Sequence, residues 1–122
     1  MNAWYHARSS ARKWGGEPET YLPVHEFIDS SKEAFPDMRH RAMLHSSWGI
    51  YLAGRMFGPT LVVPREHGEV RIPVRLIAEQ HVIEDLGRIP TVEDYLKYMT
   101  LQPWMGGAQR RTVTTSDFLG AK

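Results

Sequence analysis

The sequence predicts a mainly α-helical chain with one small β-hairpin. This is an α+β domain in which about five helices bundle around a central helix at residues 37–57. Three observations lead there. Apolar residues recur at helical spacing in five stretches. The stretch at about 60–74 breaks that period, because two runs of β-branched residues flank a glycine-containing turn. Glycines and prolines fall between these stretches, where elements must end.

The first helix is expected at Trp4–Trp14, with Trp4, Ala7, Ala11 and Trp14 on one face and Gly15-Gly16 as its stop. A loop at 17–22 leads to a second helix whose first turn suits Pro23. Val24, Phe27, Ile28, Ser31 and Phe35 make its apolar side, while His25, Asp29 and Lys32 share a flank. Pro36-Asp37 opens the third helix and Gly58-Pro59 closes it. Its second half, with Trp48, Ile50, Tyr51, Leu52, Ala53, Met56 and Phe57, is apolar around most of its circumference, which predicts packing on several sides. Ala42, Ser46, Gly49 and Ala53 form a line of small residues at helical spacing that suits a close neighbouring backbone or leaves room for a ligand. In the hairpin, Leu61–Val63 pairs with Val70–Ile72, and Pro64 and Pro73 keep the strands short and edge-like. A fourth helix is expected at Val74–Leu86 with Leu76, Ile83 and Leu86 as its apolar face, stopped by Gly87. Thr91 reads as the N-cap of a last helix, Val92–Met99, with Asp94 completing a capping box. Trp104 is expected to pack back onto the body. These elements make a single globular domain at 1–105, and residues 106–122 read as a mobile C-terminal tail.

With 122 residues the chain suits one domain, and its lack of cysteine excludes disulfides and thiolate metal sites. A formal net charge of +1 argues against nucleic acid as a partner. The basic groups Arg8, Arg12, Lys13, Arg39, Arg41, Arg110 and Arg111 read as solvated surface. No secretory leader and no membrane-length apolar run is visible, so a cytoplasmic protein is expected.

The chemistry of the chain lies in its six histidines. His45 falls midway along the expected third helix, on its apolar side. Glu79 occupies the same kind of position on the fourth. A titratable group on a core face needs a partner. One reading is structural: His45 pairs with Glu79, or Glu79 with Arg41. The other adds His25, Asp29, His81 and Asp85, because imidazoles and carboxylates pointing inward from separate helices are how bundles hold metals. On that reading His25, His45, His81 and Asp29 are ligands of a divalent transition metal such as zinc, and Glu79 or Asp85 acts as general base. His40 lies ~140° around the helix from His45, so the two are poorly placed to share an ion. His6 and His67 read as ordinary surface residues. No HExxH motif, nucleophile elbow or phosphate loop is present, and the serine doublets are explained by helix boundaries.

Four blocks make a wider pattern: His6–Lys13 (H-A-x-S-S-A-R-K), Tyr21–Lys32 (Y-L-P-V-H-E-x-x-D-x-S-K), Arg39–Ile50 (R-H-R-A-x-x-H) and Ile72–Thr91 (E-Q-H-V-x-E-D-L-G at its centre). The chain resembles a family of short uncharacterised proteins of bacteria and their phages over roughly residues 5–105. The resemblance implies one domain and places His25, Asp29, His40, His45, Glu79, His81 and Asp85 inside recurring blocks, without supplying a mechanism. The tip of the hairpin departs from the family pattern, so no role carries over there.

Two classes of function follow. One is a small metal-binding helical protein, extending to metal-dependent hydrolysis of phosphoesters or nucleotides by a metal-bound water. The other is a non-catalytic interaction protein that binds a host protein, such as a defence component, or a small anionic ligand.

Overall fold

The computed structural model describes residues 1–108 and Thr114. Among these residues the α-helices are α1 (Ala3–Trp14), α2 (Pro18–Ile28), α3 (Arg41–Leu44), α4 (Ser47–Phe57), α5 (Val74–Leu86) and α6 (Val92–Leu96). The strands β1 (Thr60–Arg65) and β2 (Gly68–Pro73) lie between α4 and α5. The chain is thus α+β and mainly helical, as expected. Among the described residues no helix is long and apolar enough to cross a membrane. The tail expected from residue 106 falls mostly outside the described residues.

Each helix starts where its first backbone donors find an acceptor. Asn2 caps α1 by accepting from the Tyr5 amide at 3.2 Å. α2 begins at Pro18, five residues before the expected Pro23. The cause is tertiary: fully buried Tyr21 donates its hydroxyl to the Gly15 carbonyl at 2.6 Å, which fixes the first turn of α2 against the end of α1. Pro23 then sits inside the helix, at the cost of one i−4 hydrogen bond. Thr91 and Asp94 form the expected capping box of α6, though the helix ends at Leu96.

The expected continuous helix at 37–57 is broken at His45. Asp37 caps a 3₁₀ turn, Met38–His40, that runs into α3. His45 then leaves helical geometry (φ −83°, ψ 64°) and Ser46 is extended, capping α4 through the Gly49 amide. Two tertiary bonds hold the break. The Ser47 amide donates to the Pro90 carbonyl at 2.9 Å, and the Tyr95 hydroxyl donates to the His45 carbonyl at 2.8 Å. Gly49 makes it possible, since a Cβ there would lie 1.7 Å from the Leu44 carbonyl oxygen. The small-residue line therefore serves the chain's own fold-back, and Ala42 lies exposed outside it. α4 buries Gly49, Ile50 and Ala53 only, leaving Trp48, Tyr51 and Met56 about half exposed or more. It is not packed on several sides.

The hairpin is antiparallel, with Leu61 opposite Ile72, Val63 opposite Val70 and Arg65 opposite Gly68. Val63 and Ile72 point into the core. That core joins Ala7 of α1, Tyr21, Val24 and Ile28 of α2, Ile50 and Ala53 of α4, and Val74, Ile77, Ala78 and Val82 of α5.

α5 has the expected bounds but a different buried face. Val74, Ile77, Ala78, His81 and Val82 are buried, whereas Ile83 is exposed. The helix carries two stripes at helical spacing. The one that ends in His81 and Asp85 turns inward because its polar groups find buried partners there. Trp104 is 72 % exposed and does not pack back as expected.

Gly49→Ala tests the fold-back. An added methyl meets backbone rather than a movable side chain, and overpacking of that kind costs about 1–3 kcal/mol or more. Urea unfolding of the variant is expected to show a midpoint lowered to match, and an unchanged midpoint would contradict the junction described.

Candidate metal centre

Four side chains from three parts of the fold converge on one point. Asp29 sits at the C-terminal end of α2, His45 at the α3–α4 break, and His81 and Asp85 one turn apart on α5. His45 Nε2 lies 2.9 Å from Asp85 Oδ2 and 3.6 Å from Asp29 Oδ1. His81 Nε2 lies 3.1 Å from Asp29 Oδ1 and 3.3 Å from Asp85 Oδ2. One donor atom from each residue falls within 4.8 Å of all the others. In a tetrahedral site with metal–ligand bonds of ~2.0 Å, neighbouring ligand atoms are ~3.3 Å apart. The four distances bracket that value. Both histidines are fully buried, and the carboxylate side chains are 9 % (Asp29) and 3 % (Asp85) exposed.

A shell of polar groups surrounds this set. His81 Nδ1 meets His25 Nδ1 at 2.9 Å, and His25 Nε2 meets the Ser10 hydroxyl at 2.8 Å. Asp85 Oδ1 faces His6 Nε2 at 3.1 Å, and the other nitrogen of His6 faces Glu84 at 2.7 Å. The His6 ring stacks on His81 with centroids 3.7 Å apart. Ser9 donates to Glu84. Lys32 stands 3.6 Å from Asp29 at the rim. Asp29 Oδ2 and His45 Nδ1 are buried without a hydrogen-bond partner.

The site is electrostatically divided. Burial would raise the Asp85 carboxyl, but hydrogen bonds from His45, His6 and His81 outweigh it and hold the group far below the usual carboxylate range. Burial likewise works against Asp29 and is outweighed by His81 and Lys32, so its pKa is lowered. Burial opposes a charge on His81, yet its bonds to Asp29 and Asp85 win and raise its pKa above the ordinary histidine value. His25 has no carboxylate against it, and burial, then His81 and His6, push it down to about 2. Burial also lowers His45, against its bond to Asp85, and lowers His40.

Of the expected ligands, the structure brings His45, His81 and Asp29 together. His25 stands one layer back, on His81, rather than at the convergence point. Asp85, expected as a base, occupies a ligand position. Glu79, expected to pair with His45 on one reading and to act as a base on the other, lies away from the convergence point and does not pair with His45. It lies at the edge of α5, 2.9 Å from Arg75, and lines a surface cavity of about 380 Å³ with Ser47, Ile50, Tyr51, Gly54 and Ile89. The inward turn of the other stripe moved it there. His40 is buried against Ser31, its ring edge-on to His45, and has no place among the four. His67 is exposed in the hairpin turn. His6 is the residue that sequence reasoning missed. Its signal was Ser10, one turn along and on the same face of α1. A histidine and a serine on the stripe beside Ala7 marked a polar layer inside the bundle.

A family model described as Domain of unknown function (DUF6915) matches residues 1–105. The chain belongs to that family. No curated protein and no solved structure matches it. DUF6915 is an uncharacterised family, as the resemblance implied, and the match covers every residue of the centre.

The shifts predict a pH profile for the metal-free protein. His25 and His45 have lowered folded values, so the stability they carry is present above ~6.5 and is lost as pH falls, when the unfolded chain takes up their protons. His81 is raised, so its share is present below ~6.5 and is lost as pH rises through its folded value. The carboxylates add a loss only below ~4. The melting temperature measured in chelator is therefore expected to peak near neutrality and to fall towards pH 5. Each histidine that stays neutral contributes a slope of about 1.4 kcal/mol per pH unit. A melting temperature that rises steadily towards pH 5 would contradict these assignments.

Proposed function

We propose that this DUF6915 chain is a metal-binding protein whose Asp29–His45–His81–Asp85 centre holds one divalent transition ion, with zinc as the best match. The convergence of four buried donor atoms, all within 4.8 Å of one another, carries the reading. Two imidazoles and two carboxylates without thiolate suit zinc, and also iron(II) or manganese(II). The donor set also fits the charge: two carboxylates held ionised in a buried place call for a central cation.

The same geometry favours a stabilising ion over a hydrolytic one. Catalytic zinc keeps an open position for water beside three protein ligands, whereas a structural site is closed by four. Here four protein atoms fill the shell and all four side chains are almost wholly buried. Metal-dependent hydrolysis would require a ligand to leave. The ion joins the end of α2, the α3–α4 break and α5, so its binding energy becomes folding energy.

Metal analysis of protein purified without chelator or affinity resin tests the proposal. About one equivalent of transition metal is expected, and removing it with EDTA should lower the melting temperature. Saturation at a hundred times Kd stabilises by about 2.7 kcal/mol, which is roughly 10 °C for a domain of this size. Asp85→Asn and His81→Gln should abolish uptake, while Glu79→Gln should leave it unchanged. Less than about a tenth of an equivalent, with no effect of EDTA on melting, would refute the reading.

A further inference from the structure

The hydrogen-bond shell behind His81 has a direction, and that direction can be read from atoms whose donor or acceptor character is fixed. The Gln80 amide is the starting point. Its Nε2 lies 3.0 Å from the His6 carbonyl and 2.9 Å from Glu84 Oε1, both of which can only accept. The amide nitrogen is therefore placed without ambiguity, and Gln80 Oε1 must accept. The Ser10 hydroxyl lies 2.5 Å from that oxygen and 3.1 Å from the His6 carbonyl. Its proton goes to Gln80 Oε1, because a proton turned elsewhere would leave these two oxygens face to face at 2.5 Å. Ser10 thus accepts from His25 Nε2 at 2.8 Å. Neither nitrogen of His25 touches a carboxylate, so the ring carries this one proton and its Nδ1 is bare. The 2.9 Å contact between the two Nδ1 atoms holds one proton, and His81 supplies it.

We infer that Gln80, Ser10 and His25 form a one-way relay that holds a proton on His81 Nδ1, so that Nε2, aimed between Asp29 and Asp85, is the nitrogen left to take either a second proton or a metal ion. Ser10 and His25 are positioning residues, since neither reaches the convergence point. A bare nitrogen lone pair at 3.1 and 3.3 Å from two carboxylate oxygens is repulsive unless a cation lies between them. The relay therefore prepares a socket that only a proton or a metal ion satisfies. Groups that orient a ligating histidine in this way are worth about ten- to a hundred-fold in metal affinity. The inference deepens the metal-centre reading and rests on it for its purpose.

Long-range proton–nitrogen NMR correlations of the histidine rings, recorded on the full chain free of metal, test the relay directly. His25 is expected as the Nε2–H tautomer with an unprotonated Nδ1. The reverse tautomer overturns the relay, even if the protein binds zinc. Zinc titration of Ser10→Ala, with circular dichroism to confirm the fold, tests its effect. Zinc affinity should fall about ten- to a hundred-fold, and part of the His25 population should reverse its tautomer. An affinity equal to that of the unaltered protein overturns the positioning role. If the unaltered chain binds no zinc while His25 has the expected tautomer, the relay is supported and the metal-centre reading falls.

Discussion

The structure depends on one buried carboxylate. Asp85 faces His45 and His81 through one oxygen and His6 through the other. Those rings come from the α3–α4 break, from α5 itself and from α1. A single side chain thus adds a polar tie between segments that the apolar core also brings together. Removing one partner of such a buried set strands the others, which costs about 3–5 kcal/mol. The stripe of α5 that faces inward, the place of α1 against it and the turn of chain at residue 45 all follow from satisfying that carboxylate.

Buried ion pairs are weak evidence for stability in themselves, because desolvation can exceed the attraction. A central cation would complete a local balance that the four side chains leave short of positive charge. Asp29 and Asp85 bring two negative charges to one point, and the cations beside them stay on the outer side, Lys32 3.6 Å from Asp29 and the Met1 ammonium 3.5 Å from the outer oxygen of Asp85. His45 and His25 are both held towards neutrality by burial. Only His81 is placed to carry a compensating proton among the four residues of the centre. An apolar core would fill the same volume more cheaply. In the proposed centre a divalent ion would neutralise both carboxylates together and leave His81 free to coordinate.

Much of the fold was legible because caps and breakers act locally. Thr91 with Asp94, Gly15, Gly87 and the hairpin all reflect interactions within a few residues. The errors came from contacts distant in sequence. Tyr21 reaching Gly15 moved the start of α2. Tyr95 and Pro90 held open a break that no local proline announced. Helical spacing offered α5 two stripes and could not say which turned inward, and that choice exchanged Glu79 for Asp85. The site was legible as residue types: the acid-plus-histidine couples His25–Asp29 and His81–Asp85 were visible at i and i+4. Which member of each couple reached the centre depended on helix rotation, which a single sequence does not state. His45 was singled out for a leucine-like place in a helix, whereas it stands where the helix stops.

The two histidines of the candidate centre are held by different means, and this joins the fold to the site. His81 is oriented by a chain of hydrogen bonds on its far nitrogen. His45 has no such partner, as its Nδ1 is buried and unpaired. Apart from the Asp85 bond on its near nitrogen, its ring is placed through the backbone: by the Tyr95 bond to its carbonyl, by the Ser46 cap that follows, and by the missing side chain of Gly49 that lets Leu44 close over α4. A helix continued through residue 45 would carry the ring away from Asp85. The break therefore serves the centre, exchanging several residues of regular helix for one imidazole delivered to the point where α2 and α5 bring their carboxylates.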